Sequence, residues 1–205
     1  MLTKNYITSY CTIAKGIISK NGQQVFAQDG DIAAFLLAAN QHLQQNYTKF
    51  YKMDNLSKLG WLAAEVLLKD SFDKAAYQPE DTAVILANAN SSLDDDLKYW
   101  DSIKDGASPS LFVYTLPNIV IGEICIRNHF KGEQALYIQP DYDAEFIAKQ
   151  VSYLLDNNIQ QACICGWVDV FEQDYKAVLF LIEKKKTDAS IEFSAEQMSE
   201  IFNKK

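Results

Sequence analysis

The stretch that most constrains the fold runs from Ser108 to Pro140, SPSLFVYTLPNIVIGEICIRNHFKGEQALYIQP. It joins a proline-initiated apolar segment, a glycine-bearing turn at Lys131-Gly132-Glu133 and an alternating run from Gln134 to Gln139 that stops at Pro140. These signals predict a helix, a tight turn and a strand that ends where a second helix begins. Pro117 to Asn128 is the ambiguous part, because Ile119, Val120, Ile121, Ile124 and Ile126 are β-branched and propensity leans toward a strand. Its length favours a buried helix, as does Pro117 at a first-turn position, where a missing N–H costs nothing. A strand running into a helix N-terminus is where an α/β enzyme places a nucleophile.

Upstream, Tyr6 to Ala14 reads as a first central strand, and the polar stretch 16–31 with its three glycines as a loop. Helical spacing of apolar residues predicts helices near 32–43, capped by Asp29 or Asp31, and 56–69, capped by Asp54 or Asn55. Thr82 to Asn88 is continuously apolar, as a parallel strand buried on both faces should be. Ser92 and Asp95 have capping-box spacing, and Asp94, Asp95 and Asp96 place negative charge in a first helical turn, which suits the helix dipole. Downstream, a helix over 144–157 is capped by Asp141 or Asp143, and strands follow near 160–168 and 176–183. The short turn between those strands forbids a parallel crossover, so the last strand runs antiparallel to its neighbour. Ser194 and Gln197 open a final helix.

A chain of 205 residues with 48% hydrophobic content buries one sizeable core, so a single domain spans 1–205. The net charge of -8 argues against nucleic acid or an anionic membrane as partner, since both need clustered cations. No apolar run approaches the roughly 18 to 20 residues of a membrane span, and the expected location is the cytoplasm. Cys11, Cys125, Cys163 and Cys165 lie in apolar segments, where free cysteine acts as a small hydrophobe. Cys163 and Cys165 share a strand face, yet with only His42 and His129 besides they cannot complete a zinc site, so neither metal nor cofactor is expected.

Three segments carry a family resemblance. SPSLFVYTLPNIVIGEICIRNHFKGE, ANANSSLDDDLKYWDSI at 87–103 and KFYKMDNLSKLGWLAAEVLL at 49–68 stand in order and resemble the N-terminal half of β-ketoacyl synthases, the thiolase-fold condensing enzymes of fatty-acid and polyketide synthesis. The resemblance implies helix for Pro117 to Asn128. It also implies a five-stranded mixed sheet in the order 3-2-1-4-5, with strands near 6–14, 82–88, 134–139, 160–168 and 176–183.

In that family a reactive cysteine follows the strand matching Ala135 to Ile138, which in this chain falls at about Asp141. A carboxylate there caps a helix but does not form the acyl thioester. Neither His42 nor His129 matches the family's two histidines, which belong to its second half. The resemblance therefore implies a catalytically silent subunit that pairs with an active, full-length ketosynthase, in the manner of chain length factors, or with itself as a homodimer. Acyl carrier protein is the natural neighbour, in fatty-acid, polyketide or aryl-polyene-type synthesis. By the same resemblance the edge strand through Ala135, Leu136, Tyr137 and Ile138 forms the dimer junction, and Phe112, Val113, Tyr114 and Thr115 reach toward the partner's pocket. The alternative is an enzyme of altered chemistry, with Cys125 or Asp141 recruited and His129 as base.

Overall fold

The computed structural model describes residues 4–204. The strands are β1 (Tyr6–Ala14), β2 (Ile17–Lys20), β3 (Gln23–Ala27), β4 (Thr82–Asn88), β5 (Gln134–Ile138), β6 (Ala162–Phe171), β7 (Asp174–Glu183) and the short β8 (Ile191–Glu192). The helices are α1 (Ile32–His42), α2 (Asn55–Leu68), α3 (Leu93–Ser102), α4 (Pro109–Phe112), α5 (Ile119–Asn128), α6 (Ala144–Asp156) and α7 (Ala195–Asn203). One mixed sheet in the order β3-β2-β1-β7-β6-β4-β5, with β8 against β1, carries α1, α2 and α5 on one face and α6 and α7 on the other.

The five expected strands all form, but the order 3-2-1-4-5 does not. Numbered as in the sequence reading, they run 3-2-4-5-1, because β1 lies outside β7 rather than between β4 and β6. Burial explains the displacement. Every residue of β4 is buried, as a central strand requires, whereas β1 alternates between buried and half-buried positions. β6 and β7 form a tight antiparallel hairpin with Phe171 opposite Asp174, and β1 then pairs with the free side of β7, Ala14 opposite Lys176. A register shift between Ile7 and Ser9 moves Ile7 to the α6 side while Cys11 and Ile13 pack on the α2 side.

The stretch read as a loop at 16–31 contains β2 and β3. Two turns make this possible: Lys15-Gly16 and Asn21-Gly22 both have two consecutive positive φ angles, 49° and 74°, then 51° and 79°. That is the hairpin geometry in which an Asn-Gly pair is most at ease. The sheet therefore gains a three-strand meander at one edge.

Pro117 to Asn128 is helical as expected, although α5 starts at Ile119, with Pro117 before the cap residue Asn118. His129 ends it with a left-handed φ of 61° and donates its backbone N–H to the Cys125 carbonyl. Gly60 of α2 lies against Val120, so the missing side chain lets α2 and α5 approach closely. Asp31, Asp54, Asp143 and Ser194 cap their helices through side-chain oxygens. The capping box at Ser92 is not made. Its hydroxyl instead donates to the Thr115 carbonyl at 2.8 Å, tying the start of α3 to the segment after α4. No helix among the described residues is long and apolar enough to cross a membrane.

Candidate functional site

β4, β5 and β6 run parallel, so their carboxyl ends gather on one side, the place where open α/β sheets form their crevices. Asp169, near the end of β6, accepts from the Ala89 and Asn90 backbone N–H groups at 3.1 and 2.9 Å and from Asn90 Nδ2 at 2.7 Å. Those bonds fix the loop leaving β4. Gln139 donates its N–H to the Asn88 carbonyl at 2.9 Å, and Asn88 Nδ2 donates to the Ser91 carbonyl at 2.9 Å.

After Gln139, Pro140 stops the strand and the chain turns into α6. Asp143, not Asp141, is the cap, and its Oδ1 accepts from the Phe146 N–H at 2.9 Å. Asp141 is exposed in an open depression of about 410 Å³, lined also by Gln139, Pro140, Tyr142, Asp143, Glu145 and Ser199. Three carboxylates and one serine hydroxyl line it, with no thiol and no imidazole among the described residues. Beneath it Tyr142 stacks on Phe202 of α7 at 4.1 Å and meets Trp167 edge-on at 6.1 Å, so α7 plugs this end of the sheet. Burial pushes the Tyr142 phenol well above its ordinary value and leaves it neutral.

The cysteines lie elsewhere. All four are buried and free. Burial raises the Cys125 thiol to about 12, and raises Cys11 and Cys165 as well, so none of these three is a ready thiolate near neutral pH. Cys125 points into the α2–α5 core while His129 is exposed at the helix end, and no side-chain hydrogen bond joins them among the described residues. His42 packs against Phe26 with the ring centres 4.9 Å apart and the planes tilted by 36°.

β5 is an edge strand, with β4 its only neighbour among the described residues. The bonds Gln139 N–H to Asn88 O and Val84 N–H to Glu133 O turn odd-numbered residues toward β4. By strand alternation, Gln134, Leu136 and Ile138 present their backbone groups to the open edge, while Ala135 and Tyr137 are bound inward. Of the four residues expected at a junction, Leu136 and Ile138 face the open edge with their backbone groups and Ala135 and Tyr137 do not.

The segment between β4 and α5 forms a cap over the carboxyl ends. Phe112 and Val113 are exposed on it, Thr115 is half-buried and Tyr114 is buried. Burial, then the nearby Glu123, Asp54 and Asp95 carboxylates, raises the Tyr114 phenol to about 12. The acidic triplet occupies the first turn of α3 as expected, but Asp95 is turned inward: it is 2% exposed and its Oδ2 has no hydrogen-bond partner among the described residues. Burial and then Asp54 push its carboxyl up to about 6. Sequence reasoning missed what α3 shows to solvent, Leu93, Leu97 and Trp100. Their i, i+4, i+7 spacing was the available signal, and by itself it would have been assigned to the core.

No family model and no curated protein matches this chain. Solved structures do. It superposes on the ishigamide ketosynthase/chain length factor with a TM-score of 0.63 at 15% identity, over 88% of this chain and 62% of that one. The fold is ketosynthase-like. A type II polyketide ketosynthase in complex with its acyl carrier protein matches with a TM-score of 0.59 at 13% identity, over 89% of this chain and 63% of that one. A ketosynthase in complex with its chain length factor, from Xenorhabdus doucetiae, gives 0.58 at 12% identity, over 89% and 79%. The ketosynthase-like chain thus spans less than two thirds of the length of the first two structures.

Proposed function

We propose that this protein is a catalytically silent ketosynthase-like subunit that works by pairing with an active, full-length ketosynthase, as a chain length factor does. The observation that carries the reading is the end of β5 on a ketosynthase-like fold: Asp141 and its surroundings offer carboxylates and a serine hydroxyl where acyl transfer through a thioester needs a thiolate. The open edge of β5 supports the pairing half of the proposal, because unpaired backbone groups on a strand with no lysine or proline within it invite a second strand. Fatty-acid, polyketide or aryl-polyene-type synthesis is the proposed setting, with acyl carrier protein as neighbour.

Incubation with acyl and malonyl carrier proteins, followed by intact mass measurement, tests the silence. The expected outcome is an unmodified mass and no condensation product. A stable acyl adduct would establish the chain as an enzyme and overturn the proposal. Co-purification from the native host with identification of the bound chain by mass tests the pairing.

A further inference from the structure

We propose that the cap formed by α3, α4 and the turn after it is the surface on which the partner seats, and that its occupant is a ketosynthase-fold subunit with an apolar face and a neutral or basic rim. This rests on the pairing reading above and names the surface that gives it area and specificity.

The argument begins with α3, whose amphipathicity is inverted. It buries a carboxylate, Asp95, and shows Leu93, Leu97 and Trp100 to solvent, Trp100 at 69% exposure. A helix that pays on both sides in the isolated chain is at ease when something apolar covers it. Tyr99 packs on Phe112 at 5.5 Å, joining the α3 stripe to Phe112, Val113 and Leu116 in one patch. Those six side chains expose roughly 600 Å² of largely apolar surface, close to the ~800 Å² that each partner contributes to a standard interface.

β5 alone falls short of that, since five residues make an edge only ~17 Å long. The cap is joined to it. A run of hydrogen bonds goes from Gln139 to Asn88, from Asn88 to Ser91, and from Ser92 to Thr115, so the end of the edge strand and the base of the cap form one connected piece.

Charge selects the occupant. Lys98 is paired with Asp94 at 2.5 Å and Lys104 with Asp101 at 3.1 Å, leaving no free cation cluster here among the described residues for nucleic acid or anionic lipid. A second copy would bring the same flank, where Asp94, Asp96 and Asp101 outnumber Lys98 and Lys104, on a chain of net charge -8, and would meet like charge. A different subunit of neutral or basic rim meets no such penalty.

The tagged wild-type chain is recovered from its native host, the retained chain is identified by mass, and the purified partner is titrated against variants. Leu97→Asp and Trp100→Asp change only exposed positions and should keep the wild-type circular dichroism while weakening pairing about thirtyfold or more. Tyr51→Asp, also at an exposed apolar position but on the 3-10 turn before α2, is the control and should bind as wild type. Equal binding by wild type and both cap variants overturns this inference and leaves the pairing reading intact. Recovery of no ketosynthase, whether the chain is monomeric or paired only with itself, overturns the pairing reading instead.

Discussion

Replacing Asp95 by Asn tests the buried carboxylate that underlies the cap. Asp95 is almost wholly buried, one of its oxygens has no partner among the described residues, and Asp54, itself pushed upward by burial, adds a like charge nearby. Its carboxyl lies at about 6 in the folded chain against an ordinary 3.8. A group raised on folding favours the folded state when protonated, so its stabilising effect is full below pH 3.8 and is lost as pH rises through 6. A difference of that size corresponds to ~3 kcal/mol if fully realised, and to about 1–2 kcal/mol after allowance for solvent screening. Asn keeps the shape without the charge. Urea denaturation from pH 4 to pH 8 should therefore show the two proteins nearly equal at pH 4 and Asp95→Asn more stable by about 1–2 kcal/mol at pH 7. Comparing the variant with wild type at each pH cancels the carboxylates they share. A variant equally or less stable than wild type at pH 7, with a difference independent of pH, would refute the reasoning.

Gly166→Ala should cost about 3–5 kcal/mol by thermal or urea denaturation, because φ is 141° there and an added Cβ would collide with the Val178 carbonyl oxygen across the β6–β7 pair. Ile138→Pro removes a backbone donor from the open edge of β5 and should abolish pairing with the fold retained. Tyr137→Pro removes a donor bound to β4 and should destabilise the sheet by about 3 kcal/mol, a contrast readable by circular dichroism and light scattering. Titration with an aromatic disulfide at pH 8 should find the four thiols unreactive until denaturant is added, since all are buried and burial pushes Cys125 to about 12. Fast labelling of Cys125 in the folded chain would contradict that.

What the sequence determined by itself were the elements whose signals are local. Pro140 ended β5, Asp31, Asp54 and Ser194 capped their helices, and the all-apolar Thr82 to Asn88 became a strand buried on both faces. Asn21-Gly22 was equally local and announced the β2–β3 hairpin, but the surrounding polarity masked it. The shortness of the turn after Phe171 was enough to make β7 antiparallel. The position of β1 was not available in that way, because nothing in Tyr6 to Ala14 specifies which strand it pairs with, and only the free side of β7 decided it. The departure at Gln139 to Asp143 could be read as chemistry lost, whereas the choice of Asp143 over Asp141 as cap depended on where α6 starts. Asp95 is the clearest case. Three consecutive aspartates at a helix start satisfy the dipole wherever they point, and only the packing of α3 over Asp54 and Tyr114 turned one of them inward and its apolar neighbours out. Charge, caps and turns act over a few residues and can be read along the chain, while strand order and the direction a helix faces are settled by surfaces that meet only when the chain has folded.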